Sequence, residues 1–231
     1  MKPMKLTTLA ILTTLLFAGM AKAQQSSASE RVAALKASVA TSKIILQNYE
    51  WIQTTVVSLN GDVKSSKQER CYYGDDGTLQ KVEIDDTSSQ ATGGPFMRRL
   101  KERKKAELTD YMKNAVNLVK SYVPPSAGKI QAAKDAGNVS VQPLSDRRAR
   151  IVFQNYEKPG DSYSIEVNLE NNRPVGLKVS TYLNDPSDTV TLTAAMGQLN
   201  NGTTYPAEIT LNADSKGLTV TVHNSGYRRV N

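Results

Sequence analysis

The chain has one histidine, His223, and one cysteine, Cys71. A zinc site, a disulfide framework or an iron–sulfur cluster each needs several Cys or His ligands, so none of these can be built from this sequence. His223 follows Val222 near the end of the chain. It reads as a structural or exposed residue, because the oriented partners a general base requires are not identifiable beside it. Cys71 lies in Glu69-Arg70-Cys71-Tyr72-Tyr73, an extended stretch, and is expected to be buried, as free cysteine commonly is. Gly128-Lys129 is followed by Ile130, and Val123 stands where a phosphate loop needs its first glycine, so no Walker-type site is present. Gly160-Asp161-Ser162-Tyr163-Ser164 ends in Ser and sits between two strand-like runs, whereas a nucleophile elbow needs glycine there and a strand-to-helix turn. Asp75/Asp76, Asp85/Asp86 and Asp185/Asp188 are expected in turns, where Asp accepts local backbone hydrogen bonds. Their spacing lacks the alternating acids of a calcium loop. A carboxylate pair for glycoside hydrolysis need only be close in space, and nothing in the sequence points to one. The expectation is a protein that is not an enzyme and uses no metal or cofactor.

The densest charge is Arg98-Arg99-Leu100-Lys101-Glu102-Arg103-Lys104-Lys105. The six cations Arg98, Arg99, Lys101, Arg103, Lys104 and Lys105 open a long helical pattern, the end at which the helix dipole disfavours positive charge. That local cost gives the cluster two readings, a solvated helix face or a contact with an anionic membrane surface or an acidic partner. Nucleic acid is not expected. Outside the cluster the charge is close to balanced, and the neighbouring aromatics suit helix packing better than base stacking.

These residues need elements to hold them. Met1-Lys2-Pro3-Met4-Lys5, the apolar run 6–20 and Ala21-Lys22-Ala23 have the layout of a cleavable signal peptide, too short for a membrane span. Cleavage is expected after Ala23, giving a periplasmic or secreted domain of residues 24–231. Its loss removes Lys2, Lys5 and Lys22 and leaves 26 basic against 22 acidic residues, a balance of +4. Residues 29–43 carry Val32, Leu35, Val39 and Ser42 on one stripe, which predicts an amphipathic helix. Strands are expected from Tyr49 to Asn60-Gly61, a two-residue hairpin signal, then from about Lys64 to Tyr73 and from Leu79 to Ile84. A mobile connection over 85–94 leads to a helical insertion of about 95–137. It comprises a long helix from Phe96 to Tyr122 and a short one that Ser126 could cap. Beyond Val139, turn clusters every 10 to 17 residues separate strands at about 148–155, 162–169, 174–183, 188–198, 206–213 and 217–223. Ile165/Val167/Leu169, Val190/Leu192/Ala194/Met196, Ile209/Leu211 and Leu218/Val220/Val222 alternate with Ser, Thr, Asn and Glu. The pattern is that of an antiparallel meander with one apolar face.

The layout, together with Tyr205-Pro206-Ala207-Glu208-Ile209-Thr210-Leu211 and Gly217-Leu218-Thr219-Val220-Thr221-Val222, resembles the periplasmic carriers of the outer-membrane lipoprotein-localisation family. Tyr49-Glu50-Trp51-Ile52 and Arg70-Cys71-Tyr72-Tyr73-Gly74 also resemble a group of exported bacterial proteins of unassigned role. The resemblance implies an α+β fold in which a curved antiparallel sheet of about nine strands, an unclosed barrel, wraps a hydrophobic cavity lidded by helices. It implies an exported carrier that shelters a lipid, an acyl chain or another apolar ligand, with acylated protein as a further partner. The alternative is a non-enzymatic cell-envelope structural or interaction module whose core is filled by side chains. Tyr49, Trp51, Val190, Leu192, Ile209 and Leu211 are the candidate ligand-facing residues. The Thr, Ser and Tyr among the inward candidates lead to the expectation of a smaller or more polar cavity than such carriers have.

Overall fold

The computed structural model describes residues 33–34, 36–88 and 95–230, with side chains described over 33–34, 36–85 and 103–230. Ten strands form one antiparallel sheet: β1 Tyr49–Leu59, β2 Asp62–Tyr73, β3 Leu79–Ser88, β4 Val139–Leu144, β5 Arg148–Gln154, β6 Ser162–Asn168, β7 Arg173–Tyr182, β8 Thr189–Gln198, β9 Thr204–Ala213 and β10 Leu218–Arg229. Their order is β3-β2-β1-β10-β9-β8-β7-β6-β5-β4. Strands 4 to 10 are a plain meander, and β10 then pairs with β1, which turns back through β2 to β3. The sheet is curved and does not close into a barrel, leaving β3 and β4 as its edges.

Helix α1 occupies residues 36–46, with helical geometry also at 33–34. Helices α2 Pro95–Lys120 and α3 Ala127–Asp135 connect the two sheet edges. The 26-residue α2 extends about 39 Å at 1.5 Å per residue, close to the roughly 43 Å spanned by nine strand spacings. One helix of this length can therefore carry the chain from one edge toward the other. It does so across the concave face, where Ala115 and Val119 pack on Val190, Leu211, Ala213 and Leu218.

Cross-strand register explains why one face accepts the helices. Phe153 pairs with Tyr163 and Tyr163 with Val179. Ile151 pairs with Ile165 and Ile165 with Leu177. Directly paired residues project to the same face, so the period-2 apolar positions of each strand combine into one continuous surface. The residues between them turn outward, and on the convex face Arg150 donates to Glu166 at 2.5 and 3.0 Å.

The sequence pattern misses four local features. Strand β4 makes the count ten instead of nine; Pro143 and exposed Ser140 and Gln142 hide it, and a sheet edge tolerates such a strand. Strand β3 runs on to Ser88, so Asp85 and Asp86 pair with Gln68 and Lys67 in a ladder and do not sit in a turn. The rest of the expected mobile connection, 89–94, lies outside the described residues, as do 1–32 with the expected signal peptide and the first part of the expected N-terminal helix. Ser126 stands at the N-cap of α3 without a side-chain cap bond. Its backbone N–H instead donates to the Tyr156 hydroxyl at 2.8 Å. Strand β10 extends to Arg229 because its last residues pair with Tyr49 and Glu50 of β1.

Candidate functional site: an apolar cavity under the helices

Helices α1 and α3 do not fill the concave face. Between them and strands β4 to β9 lies a cavity of about 940 Å³. Its sheet wall is built from inward positions of successive strands, among them Val141, Phe153, Ile165, Leu177, Leu192 and Ile209. Ala33, Lys36 and Val39 of α1 form one side, and Ile130, Gln131 and Lys134 of α3 with the Val123-Pro124-Pro125 link form the other. The lining is predominantly apolar, and Tyr163, Gln131, Lys36 and Lys134 are the residues in it with polar or charged side chains. On β8, Thr191 and Thr193 alternate with the cavity residues Leu192 and Ala194, whereas Thr181 of β7 is buried on the inward face against the Tyr122 hydroxyl.

The six candidate ligand-facing residues separate. Leu192 and Ile209 are in the cavity wall. Val190 and Leu211 lie on the same face under α2, where they are 0% and 4% exposed. Trp51 is buried and stacks on Tyr227 at 5.3 Å between ring centroids, and Tyr227 meets Tyr205 at 4.2 Å. Its indole N–H donates to Asn224 Oδ1 at 3.2 Å, and Asn224 Nδ2 donates to the Pro206 carbonyl at 2.9 Å. Trp51 is thereby tied to Pro206, itself a cavity residue. A Cβ on Gly197 would fall 2.7 Å from the Tyr205 ring, so glycine there lets that ring lie across β8. The Tyr49 hydroxyl accepts from Asn201 Nδ2 at 3.2 Å.

Two tyrosine–aspartate contacts fix the helical layer, and sequence reasoning identified neither. Asp161, fully buried, accepts Tyr122 OH at 2.6 Å and the backbone N–H groups of Tyr156, Glu157 and Lys158 at 2.6, 3.0 and 2.9 Å. Tyr122 lies just beyond α2, so this bond sets where the Val123-Pro124-Pro125 wall begins. On α2 itself, Tyr111 OH donates to Asp188 at 2.5 Å, and Asp188 also accepts from Ser215 and Asn184 at 2.6 and 3.0 Å. Burial raises the Asp188 carboxyl, but the Ser215, Tyr111 and Asn184 hydrogen bonds outweigh it and hold the group below the ordinary range.

Burial also pushes up the phenols of Tyr122, Tyr163 and Tyr227, with Asp161 adding to the effect at Tyr122. The signs give a pH profile. An unfolded Asp188 takes up its proton near the ordinary value of about 3.9 while the folded one resists, so its contribution is present above that value and is lost as pH falls through the lower folded pKa. The folded tyrosines keep protons that the unfolded chain releases near pH 10, so stability falls from about that pH upward. Tyrosinate absorbance followed together with circular dichroism is expected to show these three phenols ionising only as the sheet is lost. Asp188→Asn is expected to flatten the acid side; an unchanged acid side would refute the role given to Asp188.

The remaining singled-out residues take structural or surface places. Cys71 is fully buried, and burial pushes its thiol up. His223 is exposed on β10, 3.4 Å from Glu208 on the neighbouring strand. Asp76 accepts from the Thr78 N–H and hydroxyl, and Asp185 from those of Ser187, as turn residues do. In the basic cluster, Arg103, Lys104 and Lys105 are exposed, and Arg103 lies 3.7 Å from Glu107 one turn on. Arg98, Arg99 and Lys101 fall within α2, and their side chains lie outside the described residues. Among the described residues no group of three or more His, Cys, Asp or Glu side chains could hold a metal ion, and no helix is long and apolar enough to cross a membrane.

No family model matches the chain, and no curated protein matches it. Among solved structures, a domain described as outer membrane lipoprotein-sorting from Vibrio parahaemolyticus is 13% identical with a TM-score of 0.39, over 89% of this chain and 91% of that one. A LolA superfamily protein from Nitrosomonas europaea is 10% identical with a TM-score of 0.34, over 85% of this chain and 93% of that one. Both scores lie below 0.5.

Proposed function

We propose that this chain is an exported, non-enzymatic carrier that shelters a lipid, an acyl chain or a comparable apolar ligand. The cavity of about 940 Å³ with its apolar wall supports this reading. Protein interiors pack to the density of organic crystals, and a void lined by Leu, Ile, Phe and Val costs stability roughly in proportion to its volume, about 24 cal/mol per Å³ in a well-studied lysozyme series. A hollow near the upper end of the roughly 300–1,000 Å³ range of ligand pockets is consistent with a site kept open for an occupant. In this reading the signal-like residues 1–23 direct export, and residues 24–231 act as the carrier domain. The basic start of α2, Arg98, Arg99, Lys101, Arg103, Lys104 and Lys105, docks the loaded carrier on an anionic membrane surface or an acidic partner.

Native mass spectrometry of the protein purified from its own envelope, followed by organic extraction, tests the proposal. A stoichiometric lipid or acyl chain is the expected result. Protein that is repeatedly ligand-free and takes up no fluorescent fatty acid would overturn it and leave the interaction-module reading.

A further inference from the structure

Among the described residues the cavity wall holds two formal charges, both positive and each on a different helix: Lys36 of α1 and Lys134 of α3. No carboxylate lines it among the described residues. Elsewhere cations find acids readily, as Lys67 does with Glu69 and Glu83 and Arg150 with Glu166. Lys36 and Lys134 have no hydrogen-bond or ion-pair partner among the described residues, and the polar neighbour on α3, Gln131, donates to Asp135 at 2.7 Å. Lys36 is exposed and Lys134 half-buried. Both border an apolar hollow and reach solvent, a setting in which a lysine lays its aliphatic stem on apolar surface and keeps its ammonium group in water. Two unpaired cations flanking one apolar volume attract an anion whose tail occupies that volume. Neutral amphiphiles gain only the tail contribution.

We infer that the cavity selects an anionic amphiphile, with the carboxylate or phosphate head of the ligand held between Lys36 and Lys134 and the acyl chain inside. This rests on the carrier reading and narrows its ligand class. A charged hydrogen bond from an ammonium to a carboxylate or phosphate is stronger than one between neutral groups, and part-exposed pairs of this kind weaken with added salt.

Displacement of the neutral probe Nile red from the full-length protein by laurate, dodecanol and lauroyl-lysophosphatidic acid tests the inference. Laurate and the lysophosphatidate are expected to compete at least about tenfold better than dodecanol at low ionic strength, with the margin shrinking in about 0.5 M salt. The ratio between the two anions identifies carboxylate or phosphate as the preferred head. The double variant Lys36→Glu, Lys134→Glu is expected to lose the anion preference, read as the ratio of laurate to dodecanol competition within that variant. Equal competition by laurate and dodecanol, or an anion preference that survives the double reversal, would overturn the inference and leave the carrier reading standing. Failure of Nile red and all three amphiphiles to bind would remove both.

Discussion

Asp161→Ala is expected to destabilise the protein by about 3–5 kcal/mol, measured as a lower urea midpoint at unchanged slope. The carboxylate is fully buried and accepts one tyrosine hydroxyl and three backbone N–H groups. Without it the N–H groups of Tyr156, Glu157 and Lys158 lose their acceptor, and each buried donor so orphaned costs about 1–3 kcal/mol before water relieves it. Tyr122 keeps only Thr181, whose hydroxyl is 2.8 Å away. Tyr122→Phe provides the contrast, since it leaves the three backbone donors satisfied and is expected to cost about 0.5–1.5 kcal/mol. A loss of less than about 1 kcal/mol in Asp161→Ala would show that this contact does not fix the helical layer. Because Tyr122 introduces the Val123-Pro124-Pro125 wall of the cavity, the same variant is expected to weaken ligand uptake.

This aspartate illustrates what is and is not legible in the sequence. Lys158-Pro159-Gly160-Asp161 reads locally as a turn, and the structure agrees. The residue that gives Asp161 its larger role, Tyr122, lies 39 positions earlier on a different element, beyond the reach of local propensity. The meander is legible for the opposite reason. Strand periodicity is a property of neighbouring residues, and Ile165/Val167 and Val190/Ala194 are buried as their alternation predicts. Strand β4 escapes such a reading because its polar edge face and Pro143 carry little of that signal. Trp51 and Tyr49 can be assigned to a strand but not to their partners Asn224 and Asn201, which come from the far end of the chain.

The inward positions of β8 and β9 carry the same lesson into function. Alternation shows that Val190, Leu192, Ile209 and Leu211 share one face, but not which of them α2 covers. The path of α2 over the sheet decides that, so Leu211 packs beneath Ala115 and Val119 while Ile209, two residues away, borders the hollow. Substitutions at these two sites should therefore separate stability from binding. Leu211→Ala, at a site 4% exposed, removes a packed side chain and is expected to cost about 2–4 kcal/mol. Ile209→Trp adds its ring to existing free volume, so it escapes the roughly 1–3 kcal/mol cost of overpacking a filled core. It is expected to keep the unfolding midpoint near that of the parent while lowering affinity for a fluorescent fatty acid at least about tenfold. Ile209→Ala enlarges the hollow and is expected to change binding far less. If Ile209→Trp instead unfolds the protein, the space beside Ile209 is already filled and the carrier reading loses its support. If it leaves both stability and uptake unchanged, ligand binds elsewhere on the chain.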